Sequence, residues 1–294
     1  MTLTNSPFTR EELLPQEEKL EIEKRKGSLF IGIPKENHFQ EKRVCLTPDA
    51  VAAIVAHGHR VLLESNAGED ARFSDHDYSE AGAEITKDKA KVFGCPMILK
   101  VEPPSIDELA LMNPQAVLIS ALQLKTQSKK YFTALAAKRI TALAFEFIRD
   151  EDGTYPAVRA LSEIAGTASI LIASELMSRE EGNGLMFGNI SGVPPIEVVI
   201  LGAGTVGEFA ARSALGLGAN VKIFDNSLTK LRCLQTNVGR PLYTSTVQPK
   251  NLLKALRRCD VAIGAVRGKD RAPIVVTETM IETMKNGAII IDVS

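Results

Sequence analysis

Residues 198–227 read VVILGAGTVGEFAARSALGLGANVKIFDNS, and this stretch decides the fold. The apolar run Val198 to Leu201 reads as a buried strand. Three glycines follow at G-x-G-x-x-G spacing, Gly202, Gly204 and Gly207, and they open an amphipathic helix. A second strand, NVKIFD, then ends on Asp225. In such a turn the first glycine permits a tight bend and the second lets the backbone approach a ligand closely. The third lets helix and strand pack together.

Strand, turn, helix and strand in this register form the opening of a parallel sheet that binds a dinucleotide. The helix N-terminus offers unpaired N–H groups and the positive end of its dipole to a pyrophosphate. An acid at the tip of the second strand accepts hydrogen bonds from ribose hydroxyls and repels a 2′-phosphate. Asp225 therefore predicts NAD rather than NADP. Lys230, one turn into the next helix, is placed to reach the adenosine end, with a solvated surface lysine as the plain alternative.

Outward from this turn, strands are expected at about 196–201, 220–225, 242–246, 260–264 and 288–292, with helices between. Five strands is one fewer than a complete fold of this type has. Upstream, LFIGIP, RVLLE, PMILKV, AVLIS and ITALAFEF are short apolar runs, separated by helical segments such as PDAVAAIVAHGH and DHDYSEAG. Buried runs alternating with amphipathic stretches mark βα units and a mostly parallel sheet. The rhythm breaks at the turn-rich RDEDGTYP, at a helix expected over 162–178, and at the loop EGNGLMFGNISGVPP. The chain is thus read as α/β with two domains. A Rossmann-like domain covers 29–155, and a Rossmann dinucleotide-binding domain lacking its last strand covers 156–294. A charged extension, 1–28, precedes them, with 11–26 either a solvated helix or a disordered arm.

Composition agrees with a globular chain: of 294 residues, 45% are hydrophobic and 24% charged. A net charge of −1 gives no reason to expect nucleic acid or an anionic membrane as partner. Cys45, Cys95, Cys233 and Cys259 lie far apart, without C-x-x-C pairs or Cys/His clusters, so no metal site is expected. No apolar run approaches a membrane span and the N-terminus lacks a signal-peptide core, which predicts a cytoplasmic protein.

Taken in order, IGIPKE, KRVCLTPDAVAAIVAHGHRVLLESNAGEDARFSDHDYSEAGAEI, MILKVEPP, LSEIAG and VVILGAGTVG resemble the alanine dehydrogenase family, homologous to the NAD-binding subunit of proton-translocating transhydrogenase. The resemblance runs from about Leu29 to Ser294. It implies reversible oxidative deamination of L-alanine to pyruvate and ammonium with NAD as cofactor. It also implies a homo-oligomer, commonly a hexamer. Arg43, in the RV loop, would grip the substrate carboxylate, and Lys100, in LKV, would contact the reacting carbonyl or amine. Both would be loop residues that are otherwise merely solvated. Ser162, Ala265 and Val266 would flank the cofactor, with Ser162 also an expected helix N-cap.

Two departures stand out. The family's proton-carrying histidine corresponds to Gln123, and an amide orients groups without carrying a proton. General acid–base help is worth roughly 10²–10⁴-fold in rate. The proton work would pass to Lys100 assisted by water, with His38 and Glu146 as weaker stand-ins. The family also follows this last strand with a loop carrying a catalytic Asp. Asp292 lies on the strand itself, so the chain is expected to be incomplete at its C-terminus. Two other functions remain open: a transhydrogenase-type NAD(H)-binding subunit, and a non-catalytic NAD-binding relative. A transhydrogenase-type subunit would carry a long insertion where 237–260 has room for one strand and one helix.

Overall fold

The computed structural model describes residues 27–38, 41–180, 182–268 and 273–294. The helix or arm expected over 11–26 lies outside the described residues. The chain divides into two compact units. One runs to Leu122 and takes in Gln127–Leu143; the other comprises Gln123–Thr126 and Ala144–Ser294.

The first unit contains β1 (Phe30–Ile33), α1 (Pro48–Ala56), β2 (Arg60–Glu64), α2 (Asp75–Glu80), β3 (Glu84–Thr86), α3 (Lys89–Phe93), β4 (Met97–Leu99), α4 (Ile106–Leu111), β5 (Val117–Ser120), α5 (Lys129–Ala137) and β6 (Thr141–Ala144). Its sheet has the order β3-β2-β1-β4-β5-β6, and the pairs from β3 through β5 are parallel. Each helix starts where a side chain caps it. Thr47, Ser74, Asp88, Ser105 and Ser128 accept backbone N–H groups of the first turns of α1 to α5. Such caps satisfy donors that the helix itself leaves orphaned. The inward residues Ile31, Ile33, Val61 and Leu63 pack with Val51 of α1 and Tyr78 of α2 to form a core.

The second unit contains α6 (Pro156–Met177), β7 (Glu197–Leu201), α7 (Thr205–Gly216), β8 (Asn220–Phe224), α8 (Leu228–Val238), β9 (Tyr243–Ser245), α9 (Pro249–Leu256), β10 (Val261–Gly264), α10 (Glu278–Ile281) and β11 (Ile289–Asp292). Five parallel strands lie in the order β11-β10-β7-β8-β9, at the positions read from the sequence. Both units are therefore parallel-sheet α/β domains.

The units divide between Leu143 and Ala144, ahead of the position near 155 read from the sequence. The short 3₁₀ turn Phe145–Phe147 packs on α6, and Glu146 accepts the Gln123 N–H at 2.9 Å. The acidic linker thus belongs to the helix it leads into.

Helix α6 starts at Pro156 rather than Ser162. Proline at the first helical position forfeits only an N–H that would be orphaned anyway. Ser162 lies inside the helix and is not its N-cap, which is Tyr155. At 22 residues α6 is also long and apolar enough to cross a membrane by length and composition, which the short apolar runs did not suggest. One face of it is packed within the second unit. Gly166, Ser169, Ile170, Ala173 and Met177 are buried, and the helix lies against α7 and β11. Any Cβ on Gly166 would overlap the Val206 carbonyl, so this glycine sets how closely α6 and α7 approach.

Candidate active site

In the second unit the strand order reverses between β7 and β10, where a parallel sheet binds ligands beyond its carboxyl ends. The glycine-rich turn lies there. Gly202 has φ +111°, and a Cβ on it would overlap the carbonyl of Ala265, which follows β10. A Cβ on Gly207 would overlap the Gly202 carbonyl, so the third glycine seats α7 against its own strand. Gly204 differs from both. It is the N-cap of α7, no side chain caps it, and a Cβ there would meet nothing within 4 Å. The helix N-terminus is left open to a ligand.

That opening leads into a cavity of about 460 Å³. Gly204, Asp225, Lys230, Ala265, Val266 and Ser162 all line it. Six of the eight residues read from the sequence for the cofactor therefore share one cavity, from four separate segments, while Gly202 and Gly207 shape the turn behind it. Asp225 accepts the backbone N–H of Ala203 at 2.8 Å and that of Ser227 at 2.7 Å. A carboxylate has about four lone-pair sites, so two acceptor sites remain for ribose hydroxyls. The size, the open helix end and the strand-tip acid together fit a dinucleotide. Sequence reasoning missed Tyr155, Arg159 and Arg267 on the lining. Arg159 was findable: it stands three residues before Ser162, on the same helical face.

In the first unit the order reverses between β1 and β4, and the loops beyond their carboxyl ends carry the second set of residues. Lys100, directly after β4, is only 2% exposed and its ammonium pairs with the Glu36 carboxylate. It is thus a buried residue and not the solvated loop lysine that its sequence suggests. Glu36, in the loop after β1, also accepts the Val101 N–H at 2.6 Å. Burial raises the Glu36 pKa above the usual carboxyl value, against the opposing pull of Lys100. Arg43 lies in the same neighbourhood, within the field of Glu41, Glu102 and Glu36. Its guanidinium is engaged by Glu41, whose carboxyl is held below its usual pKa by that pairing. The Tyr78 hydroxyl donates to the Leu46 carbonyl at 2.8 Å and pins the loop between Arg43 and α1. Burial pushes the neighbouring Cys45 thiol up to about 12, which keeps it protonated and inert. Glu36 and Glu41 escaped the sequence reading, since acids in a charged loop look solvated.

Gln123 follows β5 and belongs with the second compact unit. Its φ is +47°, a left-handed conformation uncommon for a residue other than glycine. Strain of that kind clusters at functional sites. His38 is exposed and accepts the Glu41 N–H on its backbone carbonyl. Glu146 bonds the Gln123 backbone, and Asp292 is paired in register with Gly264 on the edge strand.

Residues 32–165 match the family described as "Alanine dehydrogenase/PNT, N-terminal domain", and residues 168–294 match its C-terminal domain. The chain belongs to the alanine dehydrogenase/PNT family. Its relatives include "Alanine dehydrogenase 2" of Staphylococcus aureus, strains USA300 and COL. Each is 39% identical over 266 residues, covering 90% of this chain and 71% of the relative. Among solved structures, an L-alanine dehydrogenase superposes with a TM-score of 0.84 at 36% identity, over 90% of this chain and 74% of that one. A transhydrogenase from Sinorhizobium meliloti reaches 0.77 at 24% identity over 89% and 77%, a likeness of fold. Membership of the alanine dehydrogenase/PNT family marks the chain as an oxidoreductase relative with a shared two-domain architecture.

Proposed function

We propose that this chain is an NAD-dependent amino-acid dehydrogenase that converts L-alanine, NAD⁺ and water reversibly to pyruvate, ammonium, NADH and a proton. The observation that carries this reading is the gathering of Arg43, Lys100 and Glu36 beyond the β1/β4 switch point. That site offers a carboxylate fork beside a proton-carrying pair. A bound NAD supplies the acceptor for the hydride that leaves the alanine α-carbon. Gly202, Gly204 and Gly207 with the N-terminus of α7 hold its pyrophosphate, and Asp225 takes the adenosine ribose. Ser162, Ala265, Val266 and Lys230 complete the lining.

Arg43 takes the substrate carboxylate through parallel hydrogen bonds. Deamination requires protons to move to and from nitrogen and oxygen. Lys100 is paired with Glu36, whose ionised form burial disfavours, so the pair is suited to that exchange. Gln123 orients water by its amide. The connection from the end of α8 to β10 contains one strand, β9, and one helix, α9, without the long insertion expected of a transhydrogenase-type subunit. This supports the alanine reading over that alternative.

The protein is further proposed to be cytoplasmic and a homo-oligomer, a hexamer by resemblance. Leu161, Ile164, Leu171 and Ile172 leave an exposed apolar stripe on α6 that suits subunit association. The reading is tested by following NADH absorbance with L-alanine and NAD⁺, beside a parallel assay of hydride exchange between NADH and an NADP⁺ analogue. Alanine-dependent NADH formation is expected. Exchange without alanine turnover would favour the transhydrogenase-type reading.

A further inference from the structure

Arg43 is tied to Glu41 by a closed geometry. Arg43 Nε donates to Glu41 Oε1 at 2.8 Å, and Arg43 Nη2 donates to Oε2 at 2.6 Å. The backbone N–H of Arg43 reaches the same Oε1 at 2.9 Å. Glu41 thereby fixes the guanidinium relative to its own main chain, through one edge of the plane only. The two partners differ in exposure: the Glu41 side chain is 7% exposed and that of Arg43 49%. The buried partner is the clamp, and the open partner faces outward.

A guanidinium carries five N–H donors, and the side-on edge uses two of them. The end-on edge, formed by Nη1 and the second hydrogen of Nη2, presents two more in parallel, the arrangement a planar carboxylate accepts. We propose that Glu41 is a positioning residue for substrate: it holds Arg43 by its side edge so that the end edge is preset for the carboxylate of an amino or keto acid. The proposal rests on the reading of Arg43 given above, and it assigns Glu41 a part that a surface ion pair would not have. An exposed pair contributes little and tolerates exchange, whereas a preset fork spares the substrate the entropy of ordering that side chain.

The test compares Glu41→Gln, Glu41→Asp and Arg43→Lys with wild type, singly and with Glu41→Gln combined with Arg43→Lys. An amide at position 41 accepts through one oxygen and turns a donor toward the guanidinium. KM for L-alanine and Kd for pyruvate are expected to rise about tenfold in Glu41→Gln, with kcat falling far less, the pattern of lost uniform binding. Glu41→Asp keeps the charge and restores part of the affinity. Because Glu41 acts through Arg43, Glu41→Gln adds nothing in the Arg43→Lys background. NADH affinity, a property of the other unit, stays at the wild-type value and reports intact folding. The clamp is also read without turnover, as a protected Arg43 Nε–Hε resonance in ¹⁵N NMR that Glu41→Gln abolishes. Wild-type turnover with an unmoved or lowered KM in Glu41→Gln overturns the clamp alone, a lowered KM meaning that Glu41 competes with substrate. Absence of turnover in wild type overturns the reading it rests on.

Discussion

The Asp225 carboxylate accepts the Ala203 N–H at 2.8 Å, so the acid at the end of β8 closes the glycine-rich turn that follows β7. Its second oxygen holds the Ser227 N–H at the start of α8. One side chain therefore braces the glycine-rich turn and, in the proposed function, also presents acceptors to the ribose of NAD. Asp225→Asn keeps one acceptor and faces an N–H with a donor, at a cost of about 1–3 kcal/mol. NADH titration should show weaker binding together with reduced discrimination against NADPH. Unchanged discrimination would remove Asp225 from the specificity role.

The three glycines separate folding from binding. Gly204→Ala places its methyl where no atom lies within 4 Å, so the fold should be retained. That methyl stands over the open N-terminus of α7, and NADH affinity should fall at least tenfold, about 1.4 kcal/mol. Gly202→Ala combines a φ of +111° with overlap on the Ala265 carbonyl, and should lower the melting temperature itself. Thermal melts and NADH titrations of both variants check the split.

The buried Lys100–Glu36 pair sets a second expectation, with a sign. The folded-state pKa of Glu36 lies above its ordinary value of 4.5. Between those values the native state binds more protons than the unfolded one, so Glu36 makes stability fall as pH rises through that window. The contribution is constant above it. Glu36→Gln removes this slope, but leaves the Lys100 ammonium buried without its partner, a loss of about 3–5 kcal/mol at neutral pH. Glu36→Gln with Lys100→Met should recover most of that loss. Denaturant unfolding from pH 4 to pH 8 measures both effects.

Gln123, which the family resemblance sets at the position of a histidine, has a left-handed backbone. Histidine is among the residues tolerated in that conformation. Gln123→His should therefore fold, and should raise kcat by about 10²-fold if proton transfer limits turnover. The kcat–pH profile would gain a limb near pH 6.5, about where an unperturbed imidazole titrates. A profile identical to wild type would place Gln123 outside the reaction.

Most of the second unit was legible because β7, α7 and β8 follow a periodic apolar pattern punctuated by Gly202, Gly204, Gly207 and Asp225. The strands of the first unit were legible too, except β3, whose three residues Glu84–Thr86 are too few to show a period. What stayed hidden depends on contacts between distant segments. Glu36 meets Lys100 only because β1 and β4 are neighbours in the sheet, 64 positions apart in the chain. The burial of Lys100 follows from the same adjacency. The start of α6 at Pro156 was hidden differently, since a proline after a turn reads as a breaker until the helix is seen to begin on it.

In the proposed reaction, hydride leaves the α-carbon of alanine for NAD. Incubating the protein with L-[2-²H]alanine and NAD⁺, and examining the reduced cofactor by NMR, tests this most directly. One deuterium at C4 of the nicotinamide ring per ammonium released is expected, with less reduced cofactor formed at limiting NAD⁺ in Gly204→Ala and at limiting alanine in Arg43→Lys. NADH free of deuterium, or no NADH from a protein that still binds it, would rule out this transfer.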